Sequence, residues 1–416
     1  MEKKEKTFGE LGTLRLCVVN SSSGLGGAER VLLNVLHPWF GLSKRKISSI
    51  FIPGSGPLNN EFKAAGWNVQ QFDLGSRFSQ VGDSPVRREG ALSVLLNLIC
   101  AIPDLVRCIC SLRKMIKTNG ADVYLANGFK AQILVTLAIP KTKLLIWFMQ
   151  DFISGRKMVS RIIPWIWRKG IHVIADSRAV AADVGNLLPI CPITVWHNTV
   201  DVTKYLPGDG DPSWLDFEAG FSSDFDGLRI GLVATFARWK GHKVFMEAAR
   251  DVLNKIPRDV RFYIIGGPIY GSKESQWKVE ELGNFAQELG ISKKLGFVSF
   301  QKDTVRVYRS LDIVVHASTN PEPFGQVIIE AMACGKPVIV AASGGAAEIG
   351  VHEKTCLHHQ PGNVKSLSDS ILQLVQGDTV RGKLGKAARE EVEEKFGTNR
   401  VEKRWVDFLK ETESPC

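Results

Sequence analysis

The sequence predicts an α/β fold of two doubly wound, Rossmann-like domains built on parallel sheets. Three observations carry this. Short apolar runs rich in Val, Ile, Leu and Phe alternate with helix-like segments along the whole chain, as strands covered on both faces by crossover helices do. Each half opens with a strand, a loop containing Gly and a helix. Between the halves, residues 205–227 are rich in Gly, Asp, Pro and Ser, which marks a linker.

In order, 14–20 (LRLCVVN) reads as a first buried strand, 21–29 as a small-residue loop and 30–36 as the start of an apolar helix. Residues 46–52 and a weaker 67–72 are strands, 75–90 a polar, mobile loop, and 91–117 a long helix kinked at Pro103. Strands follow at 123–127, 144–149, 172–175 and 194–197, each of the first three succeeded by a helix-like segment. The second half repeats the pattern. Strands fall at 228–235, 261–265, 295–300, 313–316 and 337–341, and helices at 243–256, 276–289, 305–311, 364–375, 382–396 and 399–413. Apart from this coarse two-fold plan there is no internal repeat. The first domain is placed at 1–204 and the second at 228–398. Ligands of such sheets bind at the carboxyl ends of the strands, here in a cleft between the lobes.

At 416 residues the chain has room for two or three domains. The net charge of +10 is uneven: residues 1–200 hold 25 Lys and Arg against 13 Asp and Glu, and the remainder is near neutral. A basic first half suits an anionic partner such as a lipid headgroup, a membrane surface or a phosphorylated acceptor. No basic motif interleaved with aromatics points to nucleic acid. The eight Cys are scattered without zinc or C-x-x-C spacing, as in a reduced, cytosolic protein. No apolar signal region follows the charged start, and the longest apolar run, 91–103, is too short to span a bilayer.

The densest chemistry lies in Pro321–Ile339 (PEPFGQVIIEAMACGKPVI), where Glu322 and Glu330 stand eight positions apart. Pro323 and Gly325 follow the first acid, an apolar helix carries the second, and Gly335-Lys336-Pro337 stops that helix. One acid then sits at a helix mouth and the other about two turns along. The free N–H groups and positive dipole end of that mouth suit a phosphate or sugar hydroxyls. Gly24-Leu25-Gly26-Gly27-Ala28-Glu29 is a second loop where backbone can approach a diphosphate, although it lacks the spacing and the acidic partner of a NAD site. After the first strand of the second half comes Ala234–His242 (ATFARWKGH), with Arg238 and Lys240. A basic-aromatic stretch with Arg156, Lys157, Arg161, Trp165, Trp167, Arg168 and Lys169 fits either a helix lying on a membrane or an ordinary amphipathic helix.

The Glu322–Glu330 phrase, with Gly344-Gly345 and Glu348 beyond the next strand, resembles the E-x7-E signature of the retaining GT-B glycosyltransferases of group 1, or family 4. Lys240-Gly241, the Gly26-Gly27-Ala28-Glu29 loop, Asp176-Ser177 and Asn198-Thr199-Val200-Asp201 resemble further phrases of that family, so the likeness runs from about Leu14 to Phe396. It implies a GT-B fold whose last helix, 399–413, packs back on the first domain. It also implies roles. Glu322 faces the transferred sugar, Glu330 holds the ribose, and the loop Pro323, Phe324, Gly325 and Gln326 binds sugar hydroxyls and phosphate. Lys240 and Arg238 neutralise the diphosphate in place of a metal. Gly26, Gly27, Gly266, Gly267 and Ser299 line the donor site, Ser299 near the base. Gln150 and Asp151 lie near the acceptor or the transferred sugar.

Two departures stand out. Gln150 occupies the position where many relatives carry His, so no proton shuttles there, and Thr235 stands where the family's Arg is expected. The expectation is a hexosyltransferase using a UDP-, GDP- or ADP-sugar, with no cofactor and no metal. Its acceptor is a glycan or lipid-linked saccharide of polysaccharide biosynthesis, at the inner face of the membrane. A nucleotide-sugar 2-epimerase, a sucrose- or trehalose-type synthase, and a non-catalytic sugar-nucleotide-binding subunit are the alternatives.

Overall fold

A computed structural model describes residues 14–39, 49–80, 91–257, 259–268 and 275–413. The chain divides into two compact units, one of Met1–Asn198 with Thr398–Cys416 and the other of Thr199–Gly397.

The first unit runs β1 (Leu16–Asn20), α1 (Gly27–Leu36), β2 (Ser49–Pro53), α2 (Pro57–Ala64), β3 (Asn68–Phe72), α3 (Ser76–Gln80), α4 (Ala91–Asn119), β4 (Val123–Asn127), α5 (Phe129–Ala138), β5 (Leu144–Met149), α6 (Lys157–Ile166), β6 (Ile171–Ala175), α7 (Arg178–Leu187) and β7 (Ile193–Val195). Its strands pair in the order β3-β2-β1-β4-β5-β6-β7, all parallel. Strand β1 shows why the apolar run is continuous. Cys17 and Val19 face the core formed with α4 to α7, while Leu16 and Val18 face the core formed with α1 and α2. The second core is completed by the last helix of the chain. There Trp405 donates to the Val35 carbonyl at 2.7 Å and meets Trp39 and Trp196 edge-on.

The second unit runs α8 (Pro212–Glu218), β8 (Leu228–Val233), α9 (His242–Leu253), β9 (Val260–Ile265), α10 (Val279–Glu288), β10 (Leu295–Val298), α11 (Thr304–Ser310), β11 (Ile313–His316), α12 (Gln326–Ala333), β12 (Val338–Ala341), β13 (Leu357–His359), α13 (Val364–Gln376) and α14 (Asp378–Lys395), after which α15 (Val401–Glu413) returns to the first unit. Its parallel sheet has the order β10-β9-β8-β11-β12-β13. The order reverses between β8 and β11, which are neighbours in register Ile313↔Ile230 and Val315↔Leu232. In the first sheet it reverses between β1 and β4. These are the points where a doubly wound sheet opens a crevice at its carboxyl edge.

Several boundaries and four elements differ from the sequence reading. Helix α1 starts at Gly27, three residues early, because the Glu29 carboxylate caps the Gly26 amide at 3.0 Å. Part of the expected loop 75–90 is helix α3, and its residues 81–90 lie outside the described ones, as do 46–48 of the expected second strand. Helix α2 and the short strand β13 have no counterpart in that reading. Pro103 lies inside α4, as expected. Most informative is 205–227, expected to be a linker. It contains α8, whose Asp216 is fully buried and takes bonds from Arg229 (2.7 Å), Arg261 (3.2 Å) and the Tyr263 hydroxyl. A buried carboxylate is tolerated because two guanidinium groups and a phenol satisfy it.

Candidate active site

The reversal between β8 and β11 decides which side chains meet. Strand β8 leads through Ala234–Ala237 into a single 3-10 turn, Arg238–Lys240, and Gly241 then takes a left-handed φ of +77°. A Cβ at Gly241 would come within 1.8 Å of the Ala317 carbonyl oxygen, so only Gly lets this turn lie against the end of β11. From the neighbouring strand, the chain after His316 runs Ala317-Ser318-Thr319 and reaches Glu322 before α12 begins at Gln326. Glu322 thus precedes the helix, and Glu330 lies one turn inside it rather than two turns along.

The two carboxyl edges bring Lys240 onto Glu322. The ammonium donates to both carboxylate oxygens, at 2.7 and 2.8 Å. Ser318 donates to Oε2 at 2.8 Å, and His316 Nε2 stands 3.3 Å from the same oxygen and 3.0 Å from the Ser318 hydroxyl. Glu322, His316 and Ser318 are all buried. Burial would push the Glu322 pKa up, but the Lys240 charge and the bond and charge of His316 outweigh it. The carboxyl is held far below the usual carboxylate range and is ionised at every physiological pH. The backbone is pinned as well. Gly345 N donates to the Glu322 carbonyl at 2.7 Å, and Gly344, at φ +65°, packs so closely that a Cβ would meet that oxygen at 2.3 Å.

Glu330 is nearly buried and accepts the Tyr308 hydroxyl at 2.9 Å. Burial, followed by the Glu330 charge, raises the Tyr308 phenol well above its ordinary value, so it stays a neutral donor. In the intervening loop the Phe324 ring enters the core against Phe396, leaving backbone to line any site, and Gln326 donates to the Thr199 carbonyl. Arg238 goes elsewhere than Lys240: its guanidinium lies 3.9 Å from the Trp277 ring centroid and pairs with Glu281 at 3.7 Å. Gly266 follows β9 at φ +152°, and a Cβ there would meet the Ala234 carbonyl at 1.9 Å, while Gly267 accepts from Phe236 N. These bonds tie the loop after β8 to the loop after β9. Ser299 is exposed just past β10, three strand spacings or about 14 Å from β11.

In the first unit, Gly26 and Gly27 form the entry to α1. Gln150, at the end of β5, donates to the Ala28 carbonyl (3.2 Å) and to Asn127 Oδ1 (2.7 Å). Asn127 in turn donates to Asn20 Oδ1 at 2.7 Å. This chain of amides fastens the Gly loop after β1 to the ends of β4 and β5. Asp151 Oδ2 accepts from both Nε and Nη2 of Arg156, at 3.1 and 2.7 Å, and its Oδ1 accepts from Phe152 N.

Sequence reasoning missed His316, Ser318, Tyr308, Asn20 and Asn127. For the two Asn a signal existed: each is the polar last residue of an apolar strand, directly before Ser21 in one case and Gly128 in the other. Among the described residues no group of three or more His, Cys, Asp or Glu is placed to hold a metal.

The likeness to a known family lies in the second unit. Residues 222–391 match the family model described as glycosyl transferases group 1. A D-inositol 3-phosphate glycosyltransferase of Corynebacterium jeikeium is 32% identical over 203 residues, 48% of this chain and 47% of that protein. Spore coat protein SA of Bacillus subtilis is 32% identical over 174 residues, 41% of this chain and 45% of its own length. The chain thus spans about half the length of the curated relatives it matches. Among solved structures, Anabaena HepE in complex with UDP superimposes with a TM-score of 0.77 at 21% identity, covering 96% of this chain and 100% of HepE. A sucrose-phosphate synthase from Thermosynechococcus elongatus does so at 0.70 and 16% identity, over 95% of this chain and 98% of that one. The fold is GT-B: two Rossmann-like units, each on its own parallel sheet.

Proposed function

We propose that the chain is a retaining glycosyltransferase of the E-x7-E class, family 4, that moves a hexose from a nucleoside diphosphate sugar to an acceptor hydroxyl. The observation that carries this is the Lys240–Glu322 contact at the strand-order reversal of the second sheet. A carboxylate held ionised beside an ammonium offers what such a transfer needs: negative charge for an oxocarbenium-like sugar, and positive charge for the departing diphosphate. An ammonium has three donors, and the bonds to Glu322 use two of them, which leaves one for a phosphate oxygen. The Pro323–Gln326 loop and the start of α12 add backbone amides at a positive helix end.

In this reading Glu330, oriented by Tyr308, holds the ribose. Gly266, Gly267 and Ser299 border the nucleotide, and Arg238 lies at the rim of the diphosphate site. The first unit takes the acceptor, a glycan or lipid-linked saccharide at the inner face of a membrane, near Gln150 and Asp151, while Gly26 and Gly27 stay assigned to the donor. With Gln150 in place of His, the acceptor proton leaves by way of the departing phosphate rather than a side chain at that position. HepE, solved with UDP and with UDP-glucose, favours a uridine donor.

The test is nucleotide release from a panel of UDP-, GDP- and ADP-sugars, read beside thermal stabilisation. Stabilisation and slow hydrolysis with one donor, the hydrolysis lost in Glu322→Ala, is the expected result. Binding that persists without turnover across an acceptor screen favours a non-catalytic subunit, and acceptor-independent formation of an epimerised sugar favours an epimerase. No binding to any donor overturns the transferase.

A further inference from the structure

We propose that the outward line of α6, with the turn after α7, is a docking surface for a bilayer containing anionic lipid. Helix α6 turns Ile163 into the core, where Val159 and Ile166 pack beside it. On the other side Lys157, Arg161 and Trp165 recur at intervals of four, which stacks them along one line of the helix. Trp165 is 90% exposed, and the cations before it are exposed too.

The charges on this line are unspent. Arg156, one residue before the helix, is held by Asp151, but Lys157, Arg161 and the exposed Lys169 beyond the helix have no carboxylate within ion-pair distance among the described residues. A second exposed apolar side chain, Ile190 (80%), sits on the turn after α7. The neighbouring Cys191 thiol points at the Ile171 carbonyl, 3.9 Å away, so this turn lies beside the segment joining α6 to β6.

An exposed Trp flanked by unpaired cations matches the headgroup boundary of a membrane, where the indole buries its rings and keeps its N–H wet, and where Lys and Arg meet lipid phosphates. The excess of 25 Lys and Arg over 13 Asp and Glu in residues 1–200 supplies a long-range attraction of the same sign. No helix among the described residues is long and apolar enough to cross a membrane. The surface carries the membrane part of the proposed function further, and its test reads binding rather than turnover, so either can fail alone.

The full chain is sedimented with phosphatidylcholine vesicles, with and without phosphatidylglycerol, at low and high salt. The expected result is co-sedimentation with the anionic vesicles only, reversed by salt. Trp165→Ala and the double variant Lys157→Glu with Arg161→Glu should each lower the bound fraction, the charge reversal by about tenfold or more, with wild-type melting temperatures. Equal binding to both vesicles, or anionic binding that survives both variants, overturns the proposal. So does an absence of vesicle binding together with concentration-dependent self-association that Trp165→Ala abolishes, which makes the face a protein interface instead.

Discussion

The Lys240 ammonium grips both oxygens of the Glu322 carboxylate across 82 residues of sequence. The grip depends on sheet order, since β8 and β11 are neighbours although β9 and β10 come between them in the chain. If the pair is the catalytic centre, Glu322→Gln, which keeps size but removes charge, should lower donor turnover by about a hundredfold or more. Lys240→Ala should lower it comparably, while Lys240→Arg retains a part. Single-turnover nucleotide release measures all three.

Gly344→Ala should act on the same centre from behind. The left-handed φ and the 2.3 Å approach of a Cβ to the Glu322 carbonyl leave no room, so the strand-like bridge between Glu322 and Gly344 must open. The expected cost is about 1–3 kcal/mol of stability, with a fall in turnover larger than that of a remote variant equally destabilised. Thermal melts beside activity distinguish the two.

Tyr308→Phe removes the hydroxyl bond to the Glu330 carboxylate, a loss of about 1–3 kcal/mol for a bond to a charged group. Because Glu330 is assigned to the ribose, nucleotide affinity should weaken several-fold while the rate at saturating donor changes little. Calorimetric titration with the nucleoside diphosphate tests this without turnover.

His242 supplies a pH dependence. It is buried at the start of α9 against the Phe236 ring, with no hydrogen-bond partner for either ring nitrogen among the described residues. Burial, and then the Lys240 charge, lower its pKa to about 4. The unfolded chain, with an ordinary His near 6.5, therefore binds the proton first as pH falls. Stability should be complete above about pH 6.5 and decline toward pH 4, by up to about 3 kcal/mol from this residue. His242→Leu should flatten that part of the curve. Denaturant melts between pH 7 and 4 would show a slope unchanged from wild type if the idea is wrong. Glu322 has the same sign but acts lower: its contribution is present above the ordinary carboxylate range, near pH 4.3, and is lost only as pH falls toward its depressed pKa.

The layout of the two sheets was legible because strands buried on both faces write themselves as continuous apolar runs, as in β5 and β9. The Glu322 loop was legible because its Pro, Gly and acid are local. Its partners were not. His316 and Ser318 look like the ordinary end of a strand, and Tyr308 like one more aromatic in a short helix, until packing turns them onto Glu322 and Glu330. Arg238 shows the same limit: it lies two residues from Lys240, but packing sets its guanidinium over Trp277 and beside Glu281 while Lys240 reaches Glu322, a division that spacing alone does not reveal. Segment 205–227 read as a linker from composition alone, which carries no trace of the two arginines waiting for Asp216.

That buried aspartate sets where the second unit can be cut. The matched domain begins at residue 222, just past α8. A fragment trimmed there would strand the Arg229 and Arg261 guanidiniums beside the Tyr263 hydroxyl with their common anion gone. The natural excision point is Thr199, and the stretch that looks dispensable by composition is a structural counterion delivered by the chain itself.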